Sequence, residues 1–297
     1  MVALGIDAGG TQTRWALAGT DGTIIADGFV AGMSATQMAS PAGRDAVRGV
    51  LAELAQQVLA AAAPVRVCAG LTGFDGVAVE PAQWLAAALG LAPTAVTVRS
   101  DIEIAYLASF KPGAGYLVYA GTGSIAAWID ADGVFHRAGG RGVTLDDGGG
   151  GFWIAREAMR LIWRREDEQP GAWEQSPLAR AVFDHVGGSD WACSRQFIYG
   201  QDRGAVGRLA LAVASVADAD PQALAILEQA GRELARIALA LVGRYGPRPI
   251  AVDGRAATLH PAIMTALRQA LPAALPLTRI SIPAHHAAAR IALHSHA

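Results

Sequence analysis

The sequence predicts an α/β protein built of two related halves, and two observations carry that prediction. Short apolar runs alternate with stretches of helical spacing, the pattern of a sheet layered with helices. In addition, one arrangement occurs twice: a strand, a loop of glycines and hydroxyls, then a hairpin. It appears first within residues 2–26 and again within residues 116–136. Lys111-Pro112-Gly113-Ala114-Gly115 is the natural boundary between the halves, which are expected to face one another across a cleft.

Composition agrees. The chain has 297 residues, 52% of them hydrophobic, enough for one or two domains with sizeable cores. A formal net charge of −2 with no long basic block gives no footing for nucleic acid or an anionic membrane. Cys68 and Cys193 stand far apart with no C-x-x-C, so they read as buried thiols in a reducing compartment rather than a zinc or disulfide framework. The start of the chain lacks a basic stretch ahead of an apolar one, so no signal peptide is expected. The uncharged run 81–98 is broken by Gly90 and Pro93 and reads as helix, turn and strand, not a membrane span. The expected setting is the cytoplasm.

Taken in order, residues 2–6 form a strand that ends on Asp7. Gly9 and Gly10 follow, with no side chains to crowd the backbone N–H groups, and Thr11 and Thr13 add hydroxyls. Such a loop suits phosphate oxygens, and Asp7 beside it suits Mg²⁺; an ordinary hairpin with an acidic rim is the plainer alternative. Residues 15–18 and 23–26 are strands joined by an Asp21-Gly22 turn, and residues 32–37 are a polar loop. Residues 42–62 are a helix carrying Val47, Leu51, Leu54 and Val58 on one face, stopped by Pro64. A strand at 65–69 runs into the loop Gly70-Leu71-Thr72-Gly73, then come a helix at 81–91 and a strand at 95–98. Asp101 sits between that strand and a helix at 102–110, where the positive end of the helix favours a negative charge. It is either a plain helix cap or a positioned base.

The second half opens with a strand at 116–120, the loop Gly121-Thr122-Gly123-Ser124, and strands at 125–129 and 134–136. Gly121-x-Gly123 after a strand also suits a dinucleotide fingerprint, but that motif must open a helix, and here a hairpin follows. Residues 139–151 are the most glycine-dense part of the chain. They are either a flexible loop or, since Asp146 and Asp147 lie inside, a ligand loop. A helix runs from Phe152 to about Arg165, and residues 166–204 read as irregular, capping the domain or touching a second subunit. Helices at 208–216 and 221–245, a strand at 249–252, a helix at 261–271, a strand at 278–282 and a helix at 283–296 complete the chain. His285, His286, His294 and His296 lack acidic partners at ligand spacing and are expected as exposed helix residues, not metal ligands.

Asp7-Ala8-Gly9-Gly10-Thr11-x-Thr13 resembles the first phosphate motif of the sugar kinase, heat-shock ATPase and actin superfamily, most closely the branch of N-acetylglucosamine kinases and the BadF/BadG/BcrA/BcrD-type ATPases. Residues 139–154 resemble that branch's G-G-W-G-x-x-L-G-D-E-G-S-x-x-W-I segment at Gly139, Gly140, Gly142, Leu145, Asp147, Gly149, Trp153 and Ile154, and depart from it at Arg141, Asp146, Gly148 and Gly150. Ser100-Asp101-x-x-x-Ala105 resembles its N-D-x-x-x-A.

The resemblance implies two ribonuclease H-like (actin-like ATPase) domains. The first is residues 1–113 with the final helix, about 283–297, crossing back to it; the second is 114–282. It implies ATP held by Gly9, Gly10, Thr11 and Thr13 and by Gly121, Thr122, Gly123, Ser124 and Gly254, the last standing where relatives carry a Gly-Gly pair and this chain has Asp253-Gly254. It implies Mg²⁺ at Asp7 and a sugar held by Thr36, Gly73, Asp101 and Asp147, with Gln37 the alternative to Thr36 and Asp101 taking the proton from the acceptor hydroxyl. The implied enzyme is an ATP-dependent sugar kinase, working as a homodimer on an amino sugar such as N-acetylglucosamine or glucosamine. An ATPase that activates a reductase or dehydratase is the alternative, disfavoured by two isolated cysteines. A non-catalytic sugar-binding regulator is a third, kept open by Gly148 standing in place of the family's glutamate.

Overall fold

The computed structural model describes residues 1–74, 76 and 79–294. The chain divides into two compact units, Met1–Lys111 together with Ile282–Ala297, and Pro112–Ser281. His296 lies outside the described residues.

The first unit is a five-stranded sheet in the order β3-β2-β1-β4-β5, where β1 is Ala3–Ala8, β2 Gln12–Ala18, β3 Ile24–Ala31, β4 Arg66–Leu71 and β5 Val96–Ser100. β1, β4 and β5 are parallel; β2 and β3 are antiparallel additions made by hairpins. Its helices are α1 (Pro41–Ala61), α2 (Glu80–Leu89) and α3 (Asp101–Ser109). The last helix of the chain, Ala284–His294, also belongs to this unit. Alternation along each strand sends residues to opposite faces. One face carries Leu4, Ile6, Trp15 and Leu17 under Val47, Leu51, Leu54 and Val58 of α1 and Leu85 of α2. Ser40 starts α1, accepting from Gly43 N at 3.1 Å, and Pro41 occupies the first helical position, where no N–H is missed.

The opposite face carries small residues, Ala3, Gly5, Ala16 and Ala18, and α3 and the last helix lie on it. Gly5 sets how close that helix comes: a Cβ there would overlap the Ala289 amide nitrogen and the His285 carbonyl oxygen. The last helix is therefore not the exposed histidine-bearing segment its polar pattern suggests, except at His294, which is exposed. His285 is 6% exposed, and Ala288, Ala289 and Ala292 are fully buried. Alanine at helical spacing marked the docking face, and the sequence reading gave the histidines more weight than the alanines.

The second unit repeats the sheet: β6 (Tyr116–Ala120), β7 (Ser124–Ile129), β8 (Phe135–Gly139), β9 (Ile250–Asp253) and β10 (Leu277–Arg279), in the order β10-β9-β6-β7-β8. Both sheets thus have the same layout, three parallel strands extended by an antiparallel hairpin. Its helices are α4 (Gly151–Glu168), α5 (Pro177–Val186), α6 (Trp191–Gly200), α7 (Arg203–Arg208), α8 (Ala210–Ser215), α9 (Pro221–Tyr245) and α10 (Pro261–Ala270); the last helix of the chain is α11 (Ala284–His294). Leu227, Leu234, Ile237 and Leu241 of α9 are buried as their spacing predicts, whereas Leu224 is only half-buried. Gly231 of α9 brings α10 against its backbone.

Residues 166–204 are not irregular. α4 extends through Glu168, and α5 and α6 are regular helices, started by Ser176, which accepts from Ala179 N at 3.1 Å, and Asp190, which accepts from Cys193 N at 2.8 Å. The caps were visible as Ser-Pro and Ser-Asp just ahead of Leu178 and Trp191; the glycines that suggested loops at 187 and 188 only separate the two helices. No helix among the described residues is long and apolar enough to cross a membrane.

Candidate functional site

Three parallel strands of the first unit end on one edge of their sheet, and each delivers a predicted residue there. β1 ends with Asp7 and Ala8, β4 runs into Thr72 and Gly73, and β5 gives way to Ser100 and Asp101. The carboxyl ends of such strands are where open α/β sheets gather ligands.

Asp101 is not the cap of α3. That task belongs to Ser100, whose Oγ accepts from Glu103 N at 3.2 Å while the Glu103 carboxylate accepts from Ser100 N at 3.0 Å. Asp101 accepts instead from Thr72 Oγ1 at 2.7 Å and from the adjoining Ile102 N at 2.9 Å. Gly70 lets α3 come this close: a Cβ there would lie 2.9 Å from Ile104 Cγ1 and 3.5 Å from the Asp101 Cα. Asp7 stands in register between Arg14 on β2 and Gly70 on β4. Burial, then the charge of Asp101, push its carboxyl up to about 6, against the opposing pull of Arg14. Two neighbouring carboxylates with only partial compensation make the kind of donor set a divalent cation relieves, so Asp7 fits Mg²⁺ on the chemistry of its surroundings.

Thr36 and Gly73 also meet here. Gly73 has φ +75°, and a Cβ there would lie 3.1 Å from Thr36 Cγ2. Ala35 N donates to Thr72 O at 3.0 Å. Gln37, the alternative to Thr36, uses its amide oxygen within its own turn, accepting from Ser34 N at 2.8 Å. Gly10 and Thr11 are exposed. A Cβ at Gly10 would meet nothing within 4 Å, and its φ is not left-handed, so neither packing nor torsion demands glycine there. Gly32 does have a packing reason, since a side chain there would overlap Gly10 O. Thr13 departs from its group. It pairs with Ala8 and Val30 on the face under α1 and is fully buried, its Oγ1 without a hydrogen-bond partner among the described residues.

In the second unit, Gly121-Thr122-Gly123-Ser124 and the glycine-dense loop are knitted together. Gly151 N donates to Gly121 O at 2.8 Å, Phe152 N to Thr122 O at 2.9 Å, and Ser124 Oγ to Gly148 O at 2.7 Å. Ser124 is therefore a buried fastener between the loops, while Thr122 is exposed. Asp147 is buried, has φ +52°, and accepts from Gly142 N at 3.0 Å. It is the one non-glycine with positive φ among the described residues. Its Oδ2 lies where a Cβ of Gly123 would be. Burial raises its carboxyl, with the Gly142 and Arg141 amides working against it. Asp146 pairs with Arg236 at 2.9 Å, and Glu233 lines the space that a side chain at Gly148 would enter, 3.0 Å from its Cβ position. Gly254 has φ +99°, and a side chain there would overlap Ala120, so the close approach of β9 to β6 already requires glycine. Thr72 and Arg14 were given no role by sequence reasoning. The hydroxyl of Thr72, between two glycines at a strand's end, was the available signal.

A model of the BadF/BadG/BcrA/BcrD ATPase family matches residues 4–283. The chain belongs to that family. Among solved structures it is similar to a protein of Chromobacterium violaceum provisionally named an N-acetylglucosamine kinase, at 27% identity, with 99% of each chain covered and a TM-score of 0.70. A protein of Porphyromonas gingivalis with the same provisional name is 16% identical, with 99% of this chain and 100% of that one covered and a TM-score of 0.74. A ROK-family glucokinase of Streptomyces griseus, solved with glucose and AMPPNP, is also 16% identical, at 98% and 99% coverage and a TM-score of 0.56. The last two likenesses concern the fold, the two-domain actin-like ATPase architecture that the repeated sheet order displays. No curated protein sequence matches the chain.

Proposed function

We propose that this protein is an ATP-dependent kinase that phosphorylates a hydroxyl of a sugar, an amino or N-acetylamino hexose such as glucosamine or N-acetylglucosamine. The observation that carries this reading is Asp101: a carboxylate at the start of α3, released from capping by Ser100, held by Thr72 and electrostatically coupled to Asp7. The C. violaceum relative, similar over 99% of both chains, supports the amino-sugar class.

Phosphoryl transfer needs positioning and charge stabilisation more than covalent help. Asp101 has lone pairs left after Thr72 and Ile102, and one of them takes the proton of the acceptor hydroxyl. Thr36 and Gly73, on the adjoining loops, bind the sugar. The loop of Gly9, Gly10 and Thr11 and the loop of Gly121, Thr122 and Gly123 are each suited to phosphate oxygens. Asp7 would hold Mg²⁺, which when bound would supply charge neutralisation on the phosphates. The activator reading loses ground on Cys68, which is buried, its thiol pushed up by burial to about 11. A thiol so placed is a packing residue and not a cluster ligand. The test is ADP release, coupled to a reporter, across a panel of hexoses with MgATP. Amino hexoses are expected to drive release. Release that no sugar accelerates would overturn the kinase reading.

Two substitutions probe the two units. Gly10→Val places its side chain in open space, so the fold is retained and nucleotide affinity falls by about 10- to 100-fold, the equivalent of one or two charge-assisted hydrogen bonds. Calorimetry with AMPPNP measures it, and unchanged affinity would remove the first loop from the phosphate site. Valine at Gly123 is the poorer probe because it would strike Asp147. At Asp147, asparagine tolerates the left-handed backbone and still accepts from Gly142 N. Asp147→Asn is expected to weaken sugar binding by roughly tenfold, as a poorly matched hydroxyl would, with a smaller change for AMPPNP. A loss confined to the nucleotide would assign Asp147 to the Gly123 loop alone.

A further inference from the structure

We propose that Asp27, His285 and His286 form a site for one divalent transition-metal ion that ties α11 to β3. The register of the sheet creates it. Asp27 on β3 stands opposite Ala16 on β2, which stands opposite Gly5 on β1. All three share the face on which α11 lies, and the missing side chain of Gly5 lets the first turn of α11 settle onto that row. Asp27 and the two histidines each offer a ligand atom, all within 4.8 Å of one another. The rings of His285 and His286 are 4.3 Å apart, centroid to centroid.

No hydrogen bond or ion pair is found between Asp27 and either histidine among the described residues, and His286 Nε2 is buried with no partner. A buried ring nitrogen left in this state costs free energy that a metal ion, taking its lone pair, would remove. Two imidazoles and one carboxylate are the donors Zn²⁺ accepts at about 2.0–2.2 Å, with water completing the tetrahedron; Mg²⁺ prefers oxygen alone. Arg14 lies in the next row of the sheet, between Asp7 and Phe29, so this site and Asp7 have separate ligands.

The experiment uses the untagged full chain, stripped with chelator and titrated with Zn²⁺ alone. One equivalent is expected to bind at micromolar or lower Kd. At free Zn²⁺ of about 100 times Kd, melting should rise by roughly 5 °C. Co²⁺ in its place should give the visible absorption of a tetrahedral site. Asp27 is exposed, so Asp27→Asn leaves the fold unchanged, and it should weaken Zn²⁺ binding at least tenfold and abolish the cobalt spectrum. His286→Gln should do the same. Absence of stoichiometric binding in the wild type, or binding that is equally tight in Asp27→Asn and His286→Gln, would overturn the proposal.

Discussion

Asp101→Asn is expected to lower kinase turnover by about 10²- to 10⁴-fold while leaving melting temperature and nucleotide affinity nearly unchanged. The substitution is a clean one because of what surrounds the residue. The cap of α3 is supplied by Ser100 and Glu103, so asparagine leaves the capping box in place and gives up only the acceptance from Ile102 N. The amide oxygen still accepts from Thr72, and the side chain keeps its volume. What is lost is the ability to hold a proton taken from the acceptor. Turnover measured on the sugar that drives ADP release, with thermal stability measured on the same preparation, separates the outcomes. A stable Asp101→Asn protein working at wild-type rate would end the assignment of Asp101 as base. Thr72→Val makes the companion test of positioning. Removing the hydroxyl that holds Asp101 should lower kcat while KM for ATP stays in place.

The second large effect concerns Asp7 and has opposite signs for stability and activity. In the folded, metal-free protein its carboxyl titrates at about 6; in the unfolded chain it titrates at its ordinary value of 3.8. The folded state therefore holds a proton through a range in which the unfolded state has lost it. Asp7 costs no stability below about pH 4, and the cost develops as pH rises from about 4 to 6, reaching roughly 3 kcal/mol above that. Asp7→Asn removes the charge and the cost together. At pH 7.5, without metal, the variant should melt several degrees above the wild type, and the gap should close as pH falls toward 4. Its activity should nevertheless drop at least about 100-fold, and MgATP should stabilise it less than it stabilises the wild type. Identical melting curves for the two proteins from pH 4 to 7.5 would show that Asp7 carries no such burden. A gap that opens above pH 4 would mark the half-buried charge of Asp7 as a burden held for a cation.

Much of this was legible in the sequence because it is local. Asp7, Gly9 and Gly10 stand at the end of an apolar run, and Ser100-Asp101 at the start of a helical one; strand ends and helix starts are written in contiguous residues. The same holds for the doubled strand, loop and hairpin, which reappears as the same order of strands in both sheets. What escaped depends on residues distant in the chain. The Thr72 to Asp101 hydrogen bond joins residues 29 apart. The burial of Thr13 follows from whether β2 turns that side chain toward α1, a matter of register set by three strands at once. Ser124 looked like a phosphate donor, yet its hydroxyl is used to hold Gly148, which lies 24 residues on. His285 looked exposed because nothing nearby in sequence announces that a glycine near the start of the chain makes room for its turn of α11.

That glycine has a consequence for synthesis. Gly5, Ala16 and Ala18 form a floor that α11 covers, and α11 is translated after the whole of the second unit. At about 5–20 residues per second, the strands of the first sheet wait on the order of ten seconds or more for their final helix. During that interval the nascent sheet exposes one apolar face to solvent and to chaperones. The first unit thus begins before the second is made and is completed after it. Deleting α11 would leave the core of that unit open, although the segment coding for the entire sheet would be intact.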